Sequence, residues 1–154
     1  MLRTLVDGTR SSAYKVGTAV FTKTNTGSDR VNEFTPKGVL GGTVAAYKGD
    51  FEVGAATGAE GETVAGLFVN NATPNVYDNN AALASGKIAV IRRGATVEVD
   101  IYANDVATAT VGAKLYSDAN GYLTTTESAS KEVVGILVKV PTTADPFAGV
   151  DLRV

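Results

Sequence analysis

The chain has 154 residues, 44% of them hydrophobic, enough for one domain with a real core or for two small halves packed together. It contains no cysteine and no histidine, which excludes a disulfide framework, thiolate zinc sites, and the commonest general base and transition-metal ligand. Fourteen basic against sixteen acidic residues leave a formal net charge of −2, too little field to gather nucleic acid or an anionic membrane.

At the start of the chain, Asp7 and Gly8 stand where a secretory leader needs its apolar run, so export by that route is not expected and residues 1–13 read as an N-terminal arm. Seventeen glycines, only four prolines and many Val and Thr then predict an all-β domain, a compact barrel or sandwich with little helix. Candidate strands follow at residues 14–22, 39–47, 64–69, 87–92, 96–102, 114–117, 122–125, 132–140 and 150–154. The clearest alternation is Thr96 to Tyr102, where Val97, Val99 and Ile101 share one face and Thr96, Glu98 and Asp100 the other, one buried and one wet. Between the sixth and seventh candidates, Asp118-Ala119-Asn120-Gly121 accepts positive φ and predicts a tight hairpin. The apolar run Val133 to Val138 is interrupted by Gly135 and is far short of the ~20 residues that span a bilayer. The last residues alternate Val150, Leu152 and Val154 against Asp151 and Arg153.

Sliding the chain along itself by 69 positions aligns Tyr47 with Tyr116, Thr57 with Thr126, Val64 with Val133, Gly66 with Gly135 and Val69 with Val138. Two readings fit: recurrence of common strand residues, or two related β-halves, residues 14–73 and 83–142, joined by 70–84. Each half would be a marginal core alone, so the whole chain, 1–154, is expected to fold as a single domain.

No arrangement of residues predicts catalysis, and no cofactor or metal is expected. The glycines at 54, 58 and 61 lack the lysine of a phosphate loop and carry Glu60, which repels phosphate, so they read as a mobile turn. Asp118 and Asn120 open like a calcium loop, but Ala129 stands where its bidentate acid belongs, and the hairpin explains them better. Asp100 and Asp105 could be imagined as paired carboxylates acting on a sugar; a polar strand face and a turn account for them as solvated surface. Arg92 and Arg93, the adjacent basic pair before Gly94, could bind an acidic partner, and a solvated strand end is the favoured account. Asn71-Ala72-Thr73, followed by Pro74, reads as a chance sequon.

The run Gly112-Ala113-Lys114-Leu115-Tyr116-Ser117-Asp118-Ala119-Asn120-Gly121-Tyr122-Leu123-Thr124-Thr125, with Glu132-Val133-Val134-Gly135-Ile136-Leu137, resembles segments of tailed-bacteriophage head decoration (cement) proteins. The likeness is best over residues 84–140 and reaches the earlier half through the internal match. It implies a virion structural protein made in the host cytoplasm, a small β-barrel, often a homotrimer, that sits outside an expanded head and clamps neighbouring major capsid proteins. Beside it stands a carbohydrate-binding or adhesin-like β domain of a tail or fibre. A chain with no oxidisable thiol and one Met suits life outside a cell. Apolar residues at both ends, Leu2, Leu5 and Val6, then Val150, Leu152 and Val154, are expected to add strands to a neighbour's sheet edge. Arg92, Arg93 and Phe147 are further candidates for partner contact, Phe147 as an anchor or as core.

Overall fold

A computed structural model describes residues 2–4, 11–16, 40–49, 52–69, 87–128 and 130–154, and among them it is all-β. The strands, in order, are β1 (Leu2–Thr4), β2 (Ser11–Val16), β3 (Val44–Gly49), β4 (Glu52–Ala55), β5 (Val64–Phe68), β6 (Lys87–Ile91), β7 (Thr96–Val99), β8 (Lys114–Ser117), β9 (Leu123–Thr124), β10 (Gly135–Lys139) and β11 (Ala148–Leu152). A 3-10 turn, Asn104–Thr108, stands between β7 and β8.

The strands form a closed barrel in the order β2-β4-β3-β5-β6 and a six-stranded sheet in the order β1-β7-β11-β10-β8-β9. Read from β2, the barrel runs β2-β6-β5-β3-β4; the sheet without β1 runs β7-β11-β10-β8-β9, so the two units share one strand order. They share register as well. Ser12 faces Val90 as Val97 faces Val150. Leu67 faces Ile91 as Ile136 faces Asp151. Ala45 faces Gly66 as Leu115 faces Gly135, and Tyr47 faces Val53 as Ser117 faces Leu123. Even the closure has a counterpart, since β2 meets β4 in parallel at Lys15 and Val16, and Tyr102, just beyond β7, forms a parallel bridge with Leu123.

This pairing moves the boundary read from the sequence. β6 is bonded to β2 and β5, so residues 87–91 close the first unit rather than open the second, and the join is Arg92 to Ala95. It also corrects one alignment: Tyr116 stands where Ala46 does, and Tyr47 is matched by Ser117, a slip of one residue.

The shared glycines have a packing reason. A Cβ on Gly66, at φ +139°, would lie 2.2 Å from the Ile91 carbonyl oxygen, and one on Gly135 would lie 2.8 Å from that of Asp151, the residue equivalent to Ile91. At both places two strands cross too closely for any side chain. The core runs through both units: Val44, Val64, Leu67 and Ile91 from the first pack with Val97, Leu115, Leu123, Leu137, Val150 and Leu152 from the second. Backbone bonds stitch the units together, Val44 N–H to the Gly121 carbonyl at 2.8 Å and Gly61 N–H to that of Ser130 at 3.2 Å.

Several expectations change. The arm at residues 1–13 contains β1 and the start of β2. β4 was not foreseen, and it absorbs Gly54, leaving the loop after it held rather than mobile. There the Glu62 carboxylate accepts from Lys48 Nζ at 2.7 Å, Thr57 N–H at 2.8 Å and Gly58 N–H at 3.1 Å. Glu98, read as a wet position, is buried. The hairpin at 118–121 forms as its chemistry predicts, with Asp118 Oδ1 accepting from Asn120 and Tyr122 N–H, both at 2.8 Å.

Candidate functional site

Because the expected activity is contact between surfaces, the site is sought in edges and exposed side chains. At the chain's end the expectation fails on geometry. β11 lies between β7 and β10 and is bonded to both, so it has no free edge to offer a neighbour. Val150 is fully buried and Leu152 is 1% exposed; each contributes roughly 1.5–3 kcal/mol by leaving water, which edge addition would forfeit. Val154 packs against the same core and Phe147 is buried, so Phe147 is core and not a free anchor.

At the other end the geometry differs. Among the described strands β1 pairs with β7 alone, Leu2 opposite Val99, Arg3 opposite Glu98 and Thr4 opposite Val97, which makes it the outermost of them in the sheet. Leu2 is partly buried against the core. Leu5 and Val6 lie outside the described residues. Arg92 is partly exposed and Arg93 exposed, and the Arg93 N–H donates to the Val154 carbonyl, so the arginines and the end of the chain form one corner. That corner precedes β7, whereas Leu2 lies opposite its last residue, so the structure does not gather these candidates into one patch.

Two features were missed by reading the sequence. Val111 is 64% exposed and Val138 42%, and Gly112 N–H donates to the Leu137 carbonyl at 2.7 Å, which brings the turn carrying one valine against the strand carrying the other. Val138 follows the buried Leu137 and so faces outward, at a break in register between Leu137 and Lys139. No local signal marks such a bulge. Beside it Lys139 Nζ lies 2.5 Å from Glu98 Oε1 and 2.6 Å from Asp145 Oδ2, and these two carboxylates, Asp145 foremost, hold the ammonium's pKa above its ordinary value. The cluster pins the β10–β11 connection to β7.

Asp105 corrects the sequence reading most. It is not solvated surface: Oδ2 accepts from Thr124 Oγ1 at 2.6 Å, Thr125 N–H and Oγ1 both at 2.9 Å, and Thr126 N–H at 3.1 Å, while Oδ1 is buried without a partner. Burial pushes this carboxyl up, and the threonine bonds outweigh it and hold it below the ordinary value. It is a clamp for the strand leaving the hairpin, and this role sets it apart from any pairing with Asp100, which is exposed. A cleft between the units, lined by Gly58, Glu62, Val64, Ser117, Lys131 and Glu132, has room for about one water. Among the described residues no group of three or more acidic side chains is placed to hold a metal ion, and no helix is long and apolar enough to cross a membrane.

No protein-family model matches the chain, and no curated protein is similar to it in sequence.

Proposed function

We propose that the chain is a virion structural protein, a head decoration protein that binds major capsid proteins on the outside of a bacteriophage head and stabilises the shell by contact alone. The observation that supports this is where the resembling residues fall. The stretch 112–125 with 132–137 spans β8, its hairpin, β9 and the start of β10, and the same pairing recurs in β3, β4 and β5. The strand pairing of the resembling stretch therefore occurs twice among the described residues.

Such a duplication suits a clamp. A shell presents many equivalent neighbours, and a chain with two equivalent units engages two of them. The second contact is then intramolecular and raises avidity by about 10²–10⁴ without any new kind of contact. The exposed valines at 111 and 138 supply surface in the second unit, and the corner of Arg92, Arg93 and Val154 supplies it at the join.

The test is sedimentation of the purified chain with expanded heads from the phage that encodes it, stripped of the protein. Saturable binding, and a higher temperature of head disruption once bound, are expected. Heads that bind no chain at micromolar concentration refute the proposal, and clean micromolar binding on a glycan array would transfer it to the adhesin class.

A further inference from the structure

We infer that β1 is an exchangeable strand, which in assemblies of this protein leaves its own β7 and completes the sheet of a second copy. Comparison of the two units carries the argument. Among the described residues each consists of five strands in the same order and register, and β1 is a sixth, paired in the second unit. In the first unit the outer side of β2 is paired with β4 at Lys15 and Val16, and no described strand pairs with Ser11 to Tyr14 on that side. Their equivalents, Thr96 to Val99, are the residues β1 borders, Leu2 to Thr4 covering Val97 to Val99. Among the described residues the first unit therefore has five strands, and the β7 edge accepts a sixth brought from outside its own unit.

The strand brought there is already foreign to that unit. β1 precedes β2, which belongs to the barrel, yet it pairs in the other unit. Six residues, 5–10, join it to β2. A strand that crosses between units on such a connection crosses between copies by the same covalent means. Exchange keeps every contact, because the receiving edge is identical, so it costs only the loss of independent motion of the two copies. Release is easy as well: three residues with a few backbone bonds, each worth about 0.5–1.5 kcal/mol net, detach far below the free energy of global unfolding. Exchanged reciprocally between two copies it gives a closed dimer, and passed from each copy to the next it is head to tail, giving a ring where the rotation closes and an open chain where it does not. The occupant of the edge is therefore residues 2–4 of a second copy. The inference concerns self-association and does not depend on the shell reading; sedimentation with heads and the cross-linking below fail independently.

The absence of native cysteine gives a clean test. Thr4 faces Val97 across β1 and β7, so the variants Thr4→Cys, Val97→Cys and the double variant are refolded at high and at low concentration, oxidised and run without reductant. Val97→Cys keeps a small apolar side chain in the core. Exchange predicts covalent dimers and larger species from the double variant at high concentration, and a covalent heterodimer when the two single variants are refolded together. An internal cross-link only, at every concentration, with no heterodimer from the mixture, overturns the inference. Failure of the double variant to cross-link at all overturns it too. Deleting residues 1–4 is expected to weaken self-association at least about tenfold while the circular dichroism of the sheet is retained; undiminished self-association of a folded deletion variant is equally fatal.

Discussion

Replacing Gly66 by alanine tests the close crossing of β5 and β6 on which the first unit closes. The new methyl would sit 2.2 Å from the Ile91 carbonyl oxygen, 1.2 Å short of the 3.4 Å at which ordinary contact begins, and 2.9 Å from Val90 Cγ1. The nearest atom is backbone, so no rotamer change relieves the clash and the strands must part locally. Overpacking of this kind costs about 1–3 kcal/mol. A side chain held at φ +139° adds about 1–3 kcal/mol of strain. Together they predict a loss of roughly 2–6 kcal/mol, a large share of the ~5–15 kcal/mol that holds a domain folded. In urea melts followed by circular dichroism the midpoint should fall by about 2 M with the slope unchanged, and Tm by about 10 °C. Gly61→Ala is the control: its φ is also positive, at +74°, but nothing lies within 4 Å, so only strain of ~1 kcal/mol remains. If G66A destabilises no more than G61A, the close approach does not govern this position and the packing account of the shared glycines fails.

Asp105→Ala should destabilise by roughly 2–3 kcal/mol in thermal melts, since the hydroxyls and N–H groups of Thr124 to Thr126 lose their common acceptor. Asp105 and Glu62 also predict an acid limit. Glu62's burial raises its carboxyl, and the bonds from Lys48 and Thr57 with the Lys48 charge more than offset this, so both groups are held below their ordinary values of 3.8 and 4.5. The unfolded chain then binds more protons in acid, so their stabilisation is complete above those values and is lost as pH falls below them. Urea midpoints from pH 7 to pH 2.5 should drop over this range, and D105N/E62Q should flatten the drop. Lys139→Met removes the ammonium that ties Glu98 on β7 to Asp145 in the β10–β11 connection and should lower the midpoint of thermal melts, part of which K139M/E98L recovers in a double-mutant cycle. Val111→Asp should change stability by less than about 0.5 kcal/mol, because the residue is exposed, yet reduce head binding at least about tenfold in sedimentation. Equal binding would remove this valine from the contact surface.

The repeated strand pairing shows how far a single sequence carries. At a shift of 69 the residues of β5 and β10 fall into line, Gly66 on Gly135, because no insertion separates them from that offset. The other strands do not keep it. Ser12 corresponds to Val97 at 85, Ala46 to Tyr116 at 70 and Val90 to Val150 at 60, since the connections differ in length between the units. A fixed shift therefore sees one strand clearly, misplaces its neighbour by one residue and assigns β6 to the wrong unit.

By itself the sequence determined what depends on local backbone geometry: the all-β class from its β-branched and glycine content, the hairpin from Asp118 to Gly121, and the inward face of the last strand from the alternation of Val150 and Leu152. Only the tertiary structure decided who pairs with whom. The period-two pattern of Val150 and Leu152 is the same for an edge strand offered to a neighbour and for one set between β7 and β10. Asp105 reads as a surface carboxylate until the chain brings Thr124 to Thr126 onto it. β4, with Gly54 and Ala55, has little strand character of its own and exists because β3 and β2 bond to it. A side chain's direction is set by its own φ and ψ, whereas its partner is set by residues far along the chain, through hydrogen bonds that leave no mark on the local pattern.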